Sequence, residues 1–294
     1  MKISTIILTL NASKYIEEQL TKIKAQSLPA HEIIVIDSSS EDNTCALVRK
    51  HGIEPIIIKR EEFSHGKTRN FAANIAKGDI LIYFSQDAIP SNQFLFERLV
   101  KNLTKDEKIA ATYARHIPHH NRAKPTEIIS RLVNYPTYSI EKDLNLLPKM
   151  GAKTFFFSNV CSAIKKDVLS QLGGFKEDVI ISEDTVFAAY AIKHGYKIVY
   201  VADAHVVHSH DFSPYDYFKR YYLIGKSLGQ HKWIIENNCL KKEAGKIVKE
   251  QFKYVLKTKK INWIPYIVAE NLCKYVGFKA GLHSSQKSKK KQIT

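Results

Sequence analysis

With 294 residues, 44% of them hydrophobic, and a net charge of +16, the chain has the make-up of a soluble globular protein, one large domain or a domain with an extension. Met1-Lys2 leads straight into an apolar run too short for a secretory signal, and no apolar stretch approaches the roughly 18 residues that cross a bilayer. The cysteines Cys45, Cys161, Cys239 and Cys273 are far apart and form no CxxC pair, so they read as reduced thiols in a cytosolic protein.

Residues 1–90 alternate strand and helix signals. Ser4–Leu10 is a β-rich run, and Ser13–Ala25 has helical spacing that ends before Pro29. Glu32–Asp37 reads as a second strand, Asp42–His51 as a helix closed by Gly52, and Pro55–Lys59 as a short third strand. His65–Lys77 is helical up to Gly78, and Asp79–Ser85 is a fourth strand. Unbroken apolar strands alternating with helices predict a parallel sheet covered on both faces. Ligands of such sheets bind beyond the carboxyl ends of the strands. Three strands end in polar residues: Thr9-Leu10-Asn11, Asp37-Ser38-Ser39-Ser40 and Ser85-Gln86-Asp87. If the strands are parallel, all three meet on one rim.

Residues 116–152, with Pro118, Pro125, Pro136 and Pro148, read as a long irregular loop. Phe155–Ser162 then reads as a strand. Lys165–Leu172 is a helix stopped by Gly173-Gly174, and Ser182–His194 is a helix closed by Gly195. Lys197–Val201 and Ala204–Val207 read as strands. From Pro214 the chain is helical to about 283 with a break near Pro265, and SSQKSKKKQIT reads as a disordered tail.

Several motifs carry chemistry. Asp37, followed by three serines, suits either a turn opening the next helix or an acceptor for the imide N–H of a pyrimidine. In FSHGKTRN (63–70), Gly66 permits close backbone approach. Lys67, Arg69 and the helix N–H groups suit an anion such as phosphate, or simply a solvated basic turn. Glu183-Asp184 follow Ser182 at a helix N-terminus, where the helix dipole favours acids and where a carboxylate can also serve as general base. His208-Ser209-His210 place two imidazoles on one face. One of them could join Asp87 on a divalent cation, or both could be structural. His116, His119 and His120 have no cysteine partner and are assigned to solvent or acceptor contact.

These motifs, in this order, resemble the family 2 glycosyltransferases. IILTLN resembles the family's first strand, and EIIVIDSSSEDNT its nucleotide-binding strand and turn. FSQDAIP stands at its metal-binding DxD position. GGF followed by ISEDTVFAAYAIKHGY resembles its acceptor-side acidic motif. The likeness covers about residues 1–211. F-x-HG-x-TRN, QDA in place of DxD, and HSHDFS followed by YFKRYY resemble the bacterial rhamnosyltransferase branch.

The resemblance implies a GT-A type α/β fold, a mostly parallel central sheet flanked by helices, with a basic α-helical C-terminal extension. It implies a catalytic domain over 1–211, with a nucleotide-sugar half to about 115 and an acceptor half over 116–211, and a helical region over 212–294. Asp37 would meet the pyrimidine, with Thr9, Asn11 and Ser39 nearby, and Lys67, Arg69, Ser85 and Gln86 would line the nucleotide. Asp87 would hold Mg²⁺ or Mn²⁺ on the donor diphosphate, with His208 or His210 completing the shell or touching phosphate. Asp184 would be the base and Glu183 would shape the site. Ser85 replaces the family's first DxD acid, which puts the ribose contact of that acid in doubt. The implied reaction is inverting transfer of a sugar to a saccharide or lipid-linked saccharide in bacterial surface polysaccharide assembly. The implied donor is dTDP-L-rhamnose, with another nucleotide sugar such as a UDP-sugar as the alternative. A nucleotidyltransferase would need a glycine-rich loop that LTLNASKY lacks. A non-catalytic binding subunit would not need both Asp87 and Asp184.

After Asp211, 18 basic residues face 5 acidic ones, so +13 of the total +16 lies there. Lys242, Lys246, Lys249, Lys253, Lys257 and Lys260 form one helical stripe opposite Ile247, Val248, Phe252, Val255 and Leu256. The stripe is either a solvated face or an interfacial surface for anionic lipid, which Trp233 and Trp263 would suit. The expectation is a cytoplasmic protein peripheral to the inner face of the membrane. No nucleic-acid recognition module is present.

Overall fold

The first apolar run forms strand β1 (Ile3–Thr9), every residue of which is buried. In this computed structural model, which describes residues 1–119, 123–236 and 239–291, β1 lies parallel to β2 (Glu32–Asp37) on one side and β4 (Ile80–Ser85) on the other. β3 (Ile56–Ile57) extends the parallel set beyond β2. Helices α1 (Ile16–Lys24), α2 (Thr44–Lys50) and α3 (His65–Ile75) make the crossovers. The expected elements of residues 1–90 are all present. Alternate residues of each strand feed opposite cores: Ile6, Ile36, Leu81 and Tyr83 on one face, Ile7, Val35, Ile82 and Phe84 on the other.

Beyond β4 the sheet becomes mixed. β5 (Ile89–Pro90), β6 (Ile109–Ile117), β7 (Ile140–Lys142), β8 (Cys161–Lys165) and β9 (Lys197–Val207) complete it, in the order β3-β2-β1-β4-β8-β6-β9-β5, with β7 on β9. β8 is antiparallel to both β4 and β6, whereas β6 and β9 are parallel. Helix α4 (Leu95–Leu103) covers one face and α7 (Lys166–Gln171) and α8 (Glu183–Lys193) the other.

Four expectations are corrected. The stretch 116–152 is not one loop: it holds α5 (Pro125–Asn134), β7 and the short α6 (Leu147–Met150). Pro125 and Pro148 lie in the first turns of α5 and α6, where a missing N–H costs nothing. Phe155–Ser162 is not a strand. Gly151–Phe155 is a 3₁₀ turn, and the strand starts at Cys161. The phenylalanine run reflects loop burial, with Phe155 and Phe157 in the core. Lys197–Val207 is one strand, with a register shift where Ala114 faces Val201 and Arg115 faces His205. His116 is buried, not at solvent, while His120 lies outside the described residues.

The C-terminal part is α9 (Pro214–Leu228), α10 (Cys239–Lys257) and α11 (Ile264–Lys291). α9 and α11 pack backbone against backbone. A Cβ on Gly225, Gly277 or Gly281 would strike the carbonyl of Phe278, Phe218 or Tyr222. The helical run breaks over Thr258–Lys260 and the 3₁₀ turn Ile261–Trp263, near Pro265 as expected, and Pro265 sits in the first turn of α11. α11 also continues through Lys291 where a disordered tail was expected; its Ser285 is buried beside Gly229. Residues 292–294 lie outside the described residues. Lys246, Lys249, Lys253 and Lys257 of α10 are exposed and Val255 is buried, but Leu256 is 59% exposed rather than on the inner face. The Lys242 side chain lies outside the described residues. Trp233 packs edge-on against Phe155 and Tyr190, so it serves the core. Among the described residues no helix is long and apolar enough to cross a membrane.

Candidate active site

Because β1, β2 and β4 are parallel, their polar ends share one rim. Asp37 is fully buried there and accepts from the Thr9 hydroxyl at 2.7 Å, the Ser40 N–H at 2.7 Å and the Ser40 hydroxyl at 2.6 Å. The Cys45 thiol also hydrogen-bonds to this carboxylate; burial, together with that contact, pushes the thiol up to about 11. Asn11 takes a left-handed φ of 52° and ties the two strand ends together: its N–H donates to Ser40 Oγ and its side-chain oxygen accepts from the Glu41 N–H. Ser39, also left-handed, donates to the Ile58 carbonyl. The Gln86 amide exchanges two hydrogen bonds with the Leu10 backbone, acting as a rung between β4 and β1. Ser85 and Ala88 both receive the Gln19 amide through their carbonyls at 2.7 Å. Buried Gln19 thus holds the turn that carries Asp87.

β5 places that turn beside the end of β9, pairing Ile89 with Val207. Asp87 Oδ2 consequently lies 3.4 Å from His208 Nε2 and 3.7 Å from His210 Nδ1. One ligand atom from each of the three residues falls within 4.8 Å of the others. Burial works against the Asp87 charge, but His208 and His210 hold its carboxyl down at about 2. Burial, reinforced by His208, pushes His210 down to about 2, and burial also lowers His208. The cluster therefore pairs one carboxylate with two imidazoles that burial disfavours in the charged form. That donor set fits a divalent cation, and imidazole with carboxylate suits Mn²⁺ at least as well as Mg²⁺.

Across the site, Ser182 takes a left-handed φ of 72° just before Glu183 and Asp184 open α8. Glu183 is buried in an ion pair with Arg69 of α3. Burial alone would raise it; the Arg69 charge holds it low. Asp184 is half-buried and accepts from the Asn159 N–H at 3.2 Å and the Thr185 N–H at 2.7 Å. Burial and the Glu183 charge push Asp184 up to about 7. It is poised to take a proton near neutrality.

Residues that the sequence reading misses join the two clusters. Tyr135, just past α5, stacks on His116 with ring centroids 4.1 Å apart, and the Asp184 charge acts on its phenol. His116 meets His208 edge-on at 5.3 Å and shares its Nδ1 with Arg131 at 2.9 Å. Arg131 is paired at 2.7 Å with Glu127, which also accepts from the His210 N–H. The i, i+4 spacing of Glu127 and Arg131 is a signal that the proline-rich context hides. Arg220 of α9 acts electrostatically on both His65 and His210, so YFKRYY supplies a cation beside the cluster.

The HGKTRN stretch sits differently from a phosphate loop. Ser64 caps α3 by accepting the Lys67 N–H, and a Cβ on Gly66 would lie 2.6 Å from the Lys176 carbonyl. Asn70 donates to the Phe175 carbonyl at 2.9 Å and accepts its N–H at 2.8 Å. Of its two cations, Arg69 is committed to Glu183, while Lys67 is exposed.

The family described as Glycosyl transferase family 2 matches residues 4–173. The O-antigen chain rhamnosyltransferase WbaN of Salmonella anatum is 37% identical over 254 residues, covering 86% of this chain and 80% of that protein. The O-antigen chain rhamnosyltransferase RfbN of Salmonella typhimurium is 36% identical over 286 residues, covering 96% and 90%. Among solved structures, a mannosyltransferase of Pyrobaculum calidifontis in complex with GDP-Man and Mn²⁺ superposes with a TM-score of 0.65 at 18% identity, covering 97% of this chain and 87% of that one. Glucosyl-3-phosphoglycerate synthase of Mycobacterium tuberculosis, in complex with Mg²⁺ and UDP, gives 0.57 at 17% identity over 80% of each chain. The chain belongs to the family 2 glycosyltransferases and has their GT-A fold.

Proposed function

We propose that the protein transfers L-rhamnose from dTDP-L-rhamnose to a saccharide, carried on a lipid, in O-antigen or related surface polysaccharide assembly. The donor sugar is supported by the two relatives named O-antigen chain rhamnosyltransferases, which this chain matches over most of its length. The observation that carries the chemistry is that Asp184, pushed up to about 7, is linked through Tyr135 and His116 to the Asp87–His208–His210 cluster.

Asp184 takes the proton of the acceptor hydroxyl as that oxygen attacks the anomeric carbon. The bond from that carbon to the diphosphate oxygen breaks on the opposite face, so configuration inverts and the electron pair leaves on the nucleotide. Glu183, fixed by Arg69, keeps the Asp184 carboxyl raised. Asp37 at the end of β2 takes the pyrimidine imide N–H, and Thr9, Asn11 and Ser39 set its orientation. Ser85 and Gln86 shape the turn under the diphosphate. Asp87, His208 and His210 would hold Mg²⁺ or Mn²⁺, which when bound supplies positive charge for the departing diphosphate. Arg220 and Lys67 add fixed charge on the same side. The catalytic part is residues 1–211, with a nucleotide-sugar half to about 115 and an acceptor half to 211. Residues 212–294 form the helical region.

A thermal-shift panel of nucleotide sugars with Mg²⁺ or Mn²⁺ tests this reading. dTDP-L-rhamnose should give the largest shift, and Asp87→Ala should abolish its metal-dependent part. A larger shift with a UDP-sugar would move the donor assignment; equal metal-dependent shifts in Asp87→Ala would remove the metal site.

A second reading concerns the membrane. Val268, Leu272, Tyr275 and Val276 of α11 are 45–59% exposed at helical spacing, with Lys257, Lys259, Lys260 and Lys279 nearby in the chain. Such a face suits peripheral binding to anionic lipid on the cytoplasmic side, where a lipid-linked acceptor resides. Leu272→Glu should reduce co-sedimentation with phosphatidylglycerol vesicles; undiminished sedimentation of the folded variant would assign α11 to another partner.

A further inference from the structure

A cavity of about 480 Å³ lies between β7, α6 and α10, and none of the strand-end rim residues lines it. Its lining includes Tyr113, Lys142, Lys149, Tyr200, Lys246 and Glu250. Lys149 and Lys246 on its rim are exposed. Glu250 is paired with Lys253 at 2.8 Å.

Lys142 is the informative member. It is 1% exposed, yet its ammonium meets only neutral groups: the Tyr113 hydroxyl at 3.1 Å, the Phe156 carbonyl, and the Tyr113 ring face at 4.8 Å. No carboxylate among the described residues pairs with it. Burial lowers it to about 7. Burying an unpaired charge costs several kcal/mol, and a methionine would fill the same slot without that cost. The fold therefore presents, at the wall of the cavity, a buried amine that an incoming anion would keep protonated. In the aromatic lining, half-buried Phe156 and exposed Tyr138 offer apolar surface suited to the face of a pyranose, whereas Tyr113 and Tyr200 are buried.

We propose that this cavity is a second anion site, separate from the donor site, that takes the phosphate group of a phosphorylated saccharide. The proposal stands independently of which nucleotide sugar is the donor. Tyr135 connects the two regions: its neighbours Asn134 and Pro136 line the cavity, and its ring stacks on His116. α10 supplies Lys246, which gives the basic stripe a directed role beyond solvation.

The probe is inorganic pyrophosphate with EDTA present, titrated calorimetrically at physiological salt so that no metal-assisted binding contributes. Saturable binding is expected in the full-length protein and in Asp87→Ala. It should weaken at least tenfold in Lys142→Met. Because Lys142 is in the core, the exposed pair Lys149→Gln/Lys246→Gln serves as an independent variant and should weaken binding similarly. In both variants metal-dependent dTDP binding should be unchanged, so failure of the donor-site reading would show separately. No saturable binding of pyrophosphate or of either probe below, or equal affinity in wild type and both variants, would overturn the proposal and leave only screening of a chain of net charge +16. Two further arms find the source. Glucose 1-phosphate binding lost in the variants assigns a soluble sugar phosphate; phosphatidylglycerol-vesicle binding lost in them assigns a lipid-borne phosphate.

Discussion

Asp184→Asn should abolish transfer while making the protein more stable at alkaline pH. Burial and Glu183 push this carboxyl from an ordinary 3.8 up to about 7. A raised carboxyl stabilises the fold in full below 3.8, loses that contribution as pH rises, and has none left above about 7. At about 1.4 kcal/mol per tenfold change in proton affinity, the loss is at most about 4 kcal/mol. The side chain is half-buried and solvent screens part of this, so about 2 kcal/mol is carried forward. Asparagine does not ionise and escapes the loss. It offers one acceptor oxygen where the carboxylate serves the N–H groups of Asn159 and Thr185, which costs about 1 kcal/mol. The variant should thus be near wild type at pH 5 and more stable by about 1 kcal/mol at pH 8. In calorimetry of the ligand-free proteins, the difference in Tm should grow by about 3 °C over that range. Turnover should fall by about 10² to 10⁴, and wild-type kcat/KM should rise with pH and level off above about 7. A Tm difference that does not change with pH refutes the raised carboxyl; normal turnover in Asp184→Asn refutes the base.

Arg69→Met strands the buried Glu183 charge and should cost about 3–5 kcal/mol in urea denaturation. Adding Glu183→Gln should recover more than half; strictly additive losses would mean the ion pair is not the source. His116→Phe keeps the stack on Tyr135 but leaves Arg131 without its ring acceptor. Mn²⁺ affinity in the presence of dTDP should fall by about 10- to 100-fold, and unchanged affinity would detach His116 from the metal cluster.

The first ninety residues are legible because parallel strands buried on both faces give unbroken apolar runs, Gly52 in a left-handed φ ends α2, and Gly78 allows the close approach of the chain to Ser4 before β4. The acceptor half is less so. Pro125, at the start of α5, reads as a loop marker when it is a helix start, and with it go Glu127, Arg131 and Tyr135. The phenylalanine run before β8 reads as strand because burial and strand pairing leave the same apolar trace. Asp87 and the two histidines are each visible as motifs. That a histidine could join Asp87 on a cation is readable from the motifs, but the element that brings them together, the two-residue strand β5 paired with the end of β9, leaves no local signal.

HGKTRN shows how position in the fold redirects a motif. Read alone, its glycine and two cations suit a phosphate. In the structure, Gly66 admits the Lys176 carbonyl, Asn70 pairs with the Phe175 backbone, and Arg69 neutralises Glu183. All three contacts reach from α3 to the segment that carries Asp184. Each depends on residue type: a Cβ at Gly66 would press on backbone, and no shorter cation than arginine spans to a buried carboxylate with the same planar fork. The motif therefore fixes the proposed base relative to the nucleotide-binding strands, so donor and acceptor sides share one frame. In the proposed function, the positive charge for the leaving group comes from groups facing solvent, Lys67 and Arg220, and from the cation that Asp87, His208 and His210 would hold. Arg69 bears on the proton affinity of Asp184 in two ways: it holds Glu183, whose charge raises it, and its own charge lowers it.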